Sequence, residues 1–305
     1  MNTSTIFRIE KSTPTDFVST VAHVFHMESD RYRPGYITYS DQNALMTKEG
    51  TKTHLLAGNT TQGGYKEGVG AEARFGLITG FARISEKRVV VADHYNHCVR
   101  QINRDSNTTS IFGGQCKSIG YQDGLPGLFN YPRSVVVDQR DKSQLLITDN
   151  CNKAVRTVHV MSQAVGTFVK SDSLSGIKGI TQEEKSGDLY VTAYNAVYRI
   201  TYTQRTASLL SGSPGDKYGY RDSTLLNSLF QYPYELIFIA PHTLLVADDS
   251  NYKLRLVDRN SDRVTTLNAR VYSLTSLLLT NNSLYVGQYK KITQYKCEYN
   301  ITTVC

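Results

Sequence analysis

The chain repeats itself, and the repeat constrains the fold more than any other feature. One segment reads Gly64-Tyr65-Lys66-Glu67-Gly68, then Ala73-Arg74-Phe75, then Val89-Val90-Val91-Ala92-Asp93, followed by Asn96 and Arg100. A second reads Gly120-Tyr121-Gln122-Asp123-Gly124, then Phe129-Asn130-Tyr131-Pro132, then Leu145-Leu146-Ile147-Thr148-Asp149, followed by Asn152 and Arg156. A third reads Gly219-Tyr220-Arg221-Asp222, then Phe230-Gln231-Tyr232-Pro233, then Leu244-Leu245-Val246-Ala247-Asp248, followed by Asn251 and Arg255. The Tyr, Asp, Asn and Arg positions recur together, 56 residues apart between the first two copies and 99 between the second and third. The larger step holds two repeats, the hidden one being shorter: Gly187-Asp188-Leu189-Tyr190-Val191-Thr192, then Val197-Tyr198-Arg199-Ile200.

Each copy divides into four short apolar runs separated by turn residues. In the second copy these are 134–137, 145–147, 155–160 and 164–168. Runs of this length, bounded by turn clusters, read as strands rather than helices. Four strands per repeat at this period make a β-propeller blade. The recurring residues are then expected to serve the scaffold. Asp93, Asp149 and Asp248 open tight turns, their carboxylates accepting backbone N–H groups. Asn96, Asn152 and Asn251 do the same or take a left-handed backbone. Pro132 and Pro233 sit just before the strand that lines the channel, whose open edge tolerates a missing N–H. Phe75, Phe129 and Phe230 are expected to wedge between blades. Arg100, Arg156 and Arg255 are expected to pair with carboxylates of neighbouring blades.

The pattern Gly-Tyr-x-Asp-Gly, Phe-x-x-Pro, apolar run, Asp-x-x-Asn-x-x-x-Arg resembles the NHL repeat. The likeness covers most of 36–300, with departures: Ile78 stands in place of the proline, Ser223 in place of the second glycine of its motif, and the 170–212 repeat lacks both the Asp turn and the Gly-Tyr pair. The WD40 class does not fit a chain without tryptophan. The expected fold is all-β, a single six-bladed propeller over 1–305. Its blades fall at about 26–58, 59–114, 115–169, 170–212, 213–269 and 270–300. The last has only about three strands of its own, and N-terminal residues 6–25, with apolar runs at 6–9 and 17–21, are expected to complete it. Such closure removes free sheet edges.

Several functions are excluded or weakened. No run reaches 18 consecutive apolar residues, so no helical membrane span is expected in this segment. The first ten residues show no signal-peptide pattern. The net charge of +7 is spread along the chain, with no cluster of lysines and arginines. The cysteines form no Cys-x-x-Cys pair, which argues against a structural zinc site.

Three functional classes remain. The resemblance admits a zinc-dependent lyase of the peptidyl-amidoglycolate type, for which His94 and His97 are the weak metal candidates. No histidine recurs at equivalent positions, and a catalytic zinc needs three converging protein ligands, so the two are expected as exposed turn histidines. No cofactor, metal or catalytic residue is expected. The resemblance also admits an RNA-binding propeller of a cytoplasmic protein, but the turn face mixes Lys66, Arg133, Lys153, Lys217, Arg221 and Lys253 with Glu67, Asp123, Asp222, Glu235 and Asp249. That is a poor electrostatic funnel. The favoured expectation is a non-enzymatic, monomeric propeller that binds a protein or glycan through this face, as part of a larger extracellular or membrane-anchored protein. Sequons at Asn59, Asn107, Asn281 and Asn300 agree with that location. So does an expected Cys116–Cys151 disulfide, with Cys297–Cys305 as a second pair. Tyr95, Arg133, Lys153, Tyr234 and Tyr252 are the expected contact residues, because aromatic and Arg side chains anchor interfaces.

Overall fold

The computed structural model describes residues 2–9, 14–269, 271–280 and 283–304, with side chains over 14–20, 23–269, 271–280 and 283–297. The chain forms six antiparallel sheets, each one blade of a propeller. Blade 1 is Met27–Ser29, Tyr36–Asp41, Ala44–Glu49 and Lys52–Gly58. Blade 2 is Ile78–Arg83, Arg88–Asp93, Cys98–Asn103 and Thr109–Gly113. Blade 3 is Pro132–Val137, Gln144–Asp149, Ala154–His159 and Val165–Lys170. Blade 4 is Ile177–Gln182, Leu189–Ala193, Ala196–Ile200 and Ala207–Gly212. Blade 5 is Pro233–Ala240, Thr243–Asp248, Lys253–Asp258 and Arg263–Leu267, with the short Ser223–Thr224 added outside.

Blade 6 is stitched from both ends of the chain, as its missing fourth strand requires. Ser276–Thr280 is its inner strand and pairs with the start of Ser283–Val304. That long run turns back at Lys290 (φ 63), which brings Gln288 Nε2 within 2.7 Å of Thr293 Oγ1. The returning leg pairs with Thr15–His23 and, farther along, with Asn2–Ile9.

The apolar core lies between blades rather than within them, in six clusters for six interfaces. Leu45 and Ala57 of blade 1 meet Phe81 and Val89 of blade 2 around Phe75. Val90 and Val99 of blade 2 meet Val135 and Ile147 of blade 3 around Phe129. Blades 4 and 5 close around Phe230, so all three motif phenylalanines wedge as expected. The last cluster joins Tyr285 and Ile292 of blade 6 to Met27, Ile37 and Tyr39 of blade 1, and closes the ring.

The structure explains the repeat by a buried guanidinium. Arg100, Arg156 and Arg255 are fully buried. Each is held between the motif tyrosine and phenylalanine: Arg100 between Tyr65 (5.2 Å) and Phe75 (4.4 Å), Arg156 between Tyr121 (4.6 Å) and Phe129 (5.3 Å), Arg255 between Tyr220 (5.0 Å) and Phe230 (4.8 Å). In blade 3 its Nη1 donates to Asp149 Oδ2 and to the Leu128 carbonyl, both at 2.9 Å. Asp149 also accepts from Asn152 Nδ2 (2.7 Å) and Asn130 N (2.8 Å), and Asn152 in turn donates to the Gly120 carbonyl (2.7 Å). Blades 2 and 5 repeat the set around Asp93 and Asp248. A buried cation needs a paired carboxylate and hydrogen-bond acceptors of this kind. Two expectations are corrected here. The carboxylate belongs to the blade's own turn, not to a neighbour, because the Arg stands diagonally across from the Asp on the adjacent strand: Arg156 is opposite Ile147, two residues before Asp149. The left-handed residue is not the Asn but the one after it: His97, Lys153 and Tyr252, at φ 56, 54 and 54.

Candidate functional site

The turns between the second and third strands, and the loops between blades, share one face of the ring. The inner strands deliver their first residues to the channel mouth on that face. Arg133, Lys178 and Tyr234 are the second residues of three successive inner strands, so blades 3, 4 and 5 place them side by side. Arg133 Nη1 donates to the Tyr234 hydroxyl at 2.5 Å, and the guanidinium sits 5.4 Å from the Tyr234 ring. Its Nε is buried with no hydrogen-bond partner. The Lys178 ammonium lies over the Tyr232 ring at 5.2 Å, and no hydrogen bond ties it among the described residues. Burial and the charge of Arg133 push the Lys178 pKa down to about 8, against the pull of Asp249. Burial pushes Asp249 up to about 6, with Lys178 acting the other way. The mouth therefore holds two basic side chains, Arg133 and Lys178, and one carboxylate, Asp249, which a backbone N–H from Leu274 also meets.

Around this centre stands a rim of tyrosines. Tyr95, Tyr252 and Tyr272 are exposed at 58%, 53% and 68%, and Tyr232 and Tyr289 are exposed as well. Tyr95 meets Tyr131 at 6.2 Å, Tyr194 meets Tyr232 at 5.8 Å, and Tyr252 meets Tyr272 at 6.5 Å. Four of them, Tyr131, Tyr194, Tyr232 and Tyr252, have left-handed backbones at φ 59, 50, 49 and 54. A bulky residue is uncommon in that region, where Gly or Asn sits more cheaply.

Of the expected contact residues, Tyr95 and Tyr252 stand in the rim and Arg133 and Tyr234 at the mouth. Lys153 is drawn aside by Asp172 at 2.9 Å. Sequence reasoning missed Lys178, Tyr272 and Tyr289. It also placed Glu235 on the turn face, whereas Glu235 is buried in the channel, where its Oε1 lies 2.6 Å from His26 Nδ1.

His94 and His97 are not exposed turn histidines; both are buried. His94 Nδ1 lies 3.0 Å from the Pro132 carbonyl, and His97 Nδ1 accepts from the Tyr131 N–H at 3.1 Å. Their rings pack on Tyr131 at 5.0 and 4.3 Å, so they clamp the entry to blade 3. Burial, then Arg133, pushes His94 down to about 3. Among the described residues no group of three His, Cys, Asp or Glu is arranged to hold a metal.

The expected Cys116–Cys151 bond is also corrected: Cys116 is bonded to Cys98, with Cα atoms 4.8 Å apart, and Cys151 is a free, exposed thiol. The loop leaving blade 2 first passes over that blade's own turn, where Lys117 N donates to the Asn96 carbonyl at 2.7 Å, and this brings Cys116 to the start of the Cys98 strand. Cys297 is buried, and Cys305 lies outside the described residues. Asn59 is half-buried, its side chain accepting from Thr61 and Gln62 of the following loop. Asn107 sits in a turn on the opposite face at φ 55; Asn281 and the side chain of Asn300 lie outside the described residues.

No known family model and no curated protein sequence matches this chain. Solved structures do. An auxiliary nutrient binding protein from Bacteroides ovatus is 11% identical, with 97% of this chain and 78% of that one covered at a TM-score of 0.71. Virginiamycin B lyase from Staphylococcus aureus is 12% identical, covering 95% and 99% at 0.60. A chain of the nidogen–laminin complex is 12% identical, covering 82% and 84% at 0.59. At such identities the likeness shows the fold, and one scaffold carries binding proteins and an enzyme alike.

Proposed function

We propose that this protein is a non-enzymatic, NHL-type binding propeller that holds a protein or glycan partner on its turn face. The observation that carries the reading is the tyrosine rim: Tyr95, Tyr232, Tyr252, Tyr272 and Tyr289 stand exposed around one channel mouth. Tyrosine offers a flat apolar face and a polar tip, suited to sugar rings and to protein surfaces. At the centre, Arg133 and Lys178 have unused donors and would take an acidic or hydroxyl-rich group. The Cys98–Cys116 bond fits an oxidising compartment, and hence an extracellular location. The nutrient-binding and nidogen–laminin propellers show that the architecture serves in binding assemblies.

The test is an array of glycans and extracellular proteins, followed by titration of Tyr95→Ala, Arg133→Ala, Tyr234→Ala and Tyr252→Ala against any binder, with thermal stability measured alongside. At least two of the four are expected to weaken binding by 30-fold or so, the scale of an interface anchor. Binding that survives all four and is abolished by changes at the opposite turn near Asn107 overturns the choice of face. Binding of RNA alone overturns the class of partner.

A further inference from the structure

The opposite mouth of the channel is a different kind of site. The turn face is broad and aromatic; this mouth opens into a cavity of about 380 Å³ to which all six blades contribute. That is within the size range of small-molecule sites. One wall is apolar: Val136, Ile180, Ile237, Phe238, Leu277 and Leu278. The other is charged: His26, Glu28, Arg31, Arg83 and Glu235.

The charges are unevenly matched. His26 and Glu235 satisfy one another at 2.6 Å, and Glu235 Oε2 also accepts the Leu277 N–H at 2.5 Å. Burial opposes a proton on His26, but the charge and hydrogen bond of Glu235 act the other way and raise its pKa, so the two side chains hold one another. Buried Asp30 is shared by two arginines, Arg83 at 3.2 Å and Arg104 at 2.9 Å, which leaves one positive charge over. Arg83 Nε and Nη1 are buried without a partner. Arg31 is exposed at the rim, its Nη2 on the Arg83 carbonyl at 3.1 Å, and no carboxylate pairs with it among the described residues. Glu28 stands against this surplus; burial raises its pKa, with His26, Arg83 and Arg31 acting the other way.

We infer that this cavity binds a small amphiphilic acid, its carboxylate at Arg31 on the charged wall and its apolar body along the Leu277–Leu278 wall. A guanidinium with free N–H groups recognises a carboxylate by two parallel hydrogen bonds. The apolar wall adds to the affinity by taking the ligand's apolar body out of water. The site is separate from the turn face and does not depend on the reading given for it.

Calorimetry on the whole chain tests this with octanoate and 4-phenylbutyrate against the matching primary amides and amines. The acids are expected to bind at least 10-fold more tightly than the amides, and the amines weakest. Arg31→Gln removes the exposed cation without touching the core and is expected to erase the preference of acid over amide. Leu278→Trp, at a half-buried position, is expected to fill the cavity and abolish binding of acid and amide together. Equal binding of acid and amide, a preference for the amine, no binding of either acid at millimolar concentration, or a preference unchanged in Arg31→Gln with the fold intact overturns the assignment.

Discussion

Blades 2, 3 and 5 hold their turns with a buried charge network, whereas blades 1, 4 and 6 each bring an amide side chain to theirs. In blade 1, Asn43 donates to the Phe75 carbonyl at 3.0 Å and to the Gly76 carbonyl. In blade 4, Asn195 donates to the Gly215 carbonyl (3.0 Å) and accepts from Tyr232 N (3.1 Å). In blade 6, Gln288 accepts from Tyr272 N at 2.9 Å. Both devices tie a turn to an inter-blade loop. The difference teaches that the blade and the repeat motif are separable: the blade needs its apolar faces, and the motif is one of two ways to fasten the loop that crosses it.

The comparison can be broken most forcefully at Arg156. Arg156→Met leaves Asp149 buried without its cation and is expected to cost about 3–5 kcal/mol, read by denaturant unfolding. Adding Asp149→Asn is expected to recover much of this; if the single variant costs no more than an amide deletion, the two fastenings are equivalent after all. Next comes the disulfide staple, which among the described residues belongs to blade 2. Cys98→Ser with Cys116→Ser opens a loop spanning 18 positions and is expected to cost about 3 kcal/mol, visible as a lower Tm. Asn195→Ala in the amide-fastened blade 4 is expected to cost only about 1–2 kcal/mol.

The smallest effect has the opposite sign. Lys178 has its pKa lowered to about 8 in the folded protein, below the unfolded lysine value. Its contribution to stability is thus present above about pH 10.4 and lost as pH falls through 8. Lys178→Met is expected to stabilise the free protein at pH 7 by about 1 kcal/mol, with the gain vanishing by pH 11, while weakening an acidic partner. Equal stability of the two proteins at pH 7 would remove the claim that Lys178 is held for binding.

What was legible in the sequence follows from the same contrast. The guanidinium network needs Tyr, Phe, Asp, Asn and Arg at fixed spacing, so it leaves a readable period. The amide fastening needs one residue, so blades 1, 4 and 6 were visible only through their apolar runs. Tyr95 and Tyr252 could be read off turns whose neighbours recur. Lys178, His26 and Glu235 could not, since one inner-strand position is Arg133, Lys178 or Tyr234 in successive blades, and pattern alone does not say which faces the channel. The Cys98–Cys116 bond escaped because it depends on the path of a loop over its own blade, which spacing does not encode.

The seam in blade 6 also sets the order in which the molecule can assemble. Blades 1 to 5 are runs of hairpins between near neighbours in the chain, apart from the short outer Ser223–Thr224 of blade 5. Blade 6 joins residues as remote as Asp16 and Lys291, 275 positions apart, and Thr275 reaches the Val24 carbonyl across 251. Contacts of such separation carry the largest closure entropy and form slowly. The ring should therefore exist first as an open arc with one exposed blade face, a sticky intermediate until the last strand is made. Pulse-labelled hydrogen exchange should show 15–20 protected after the strands of blade 3, and simultaneous protection would mean that the ring closes in a single step.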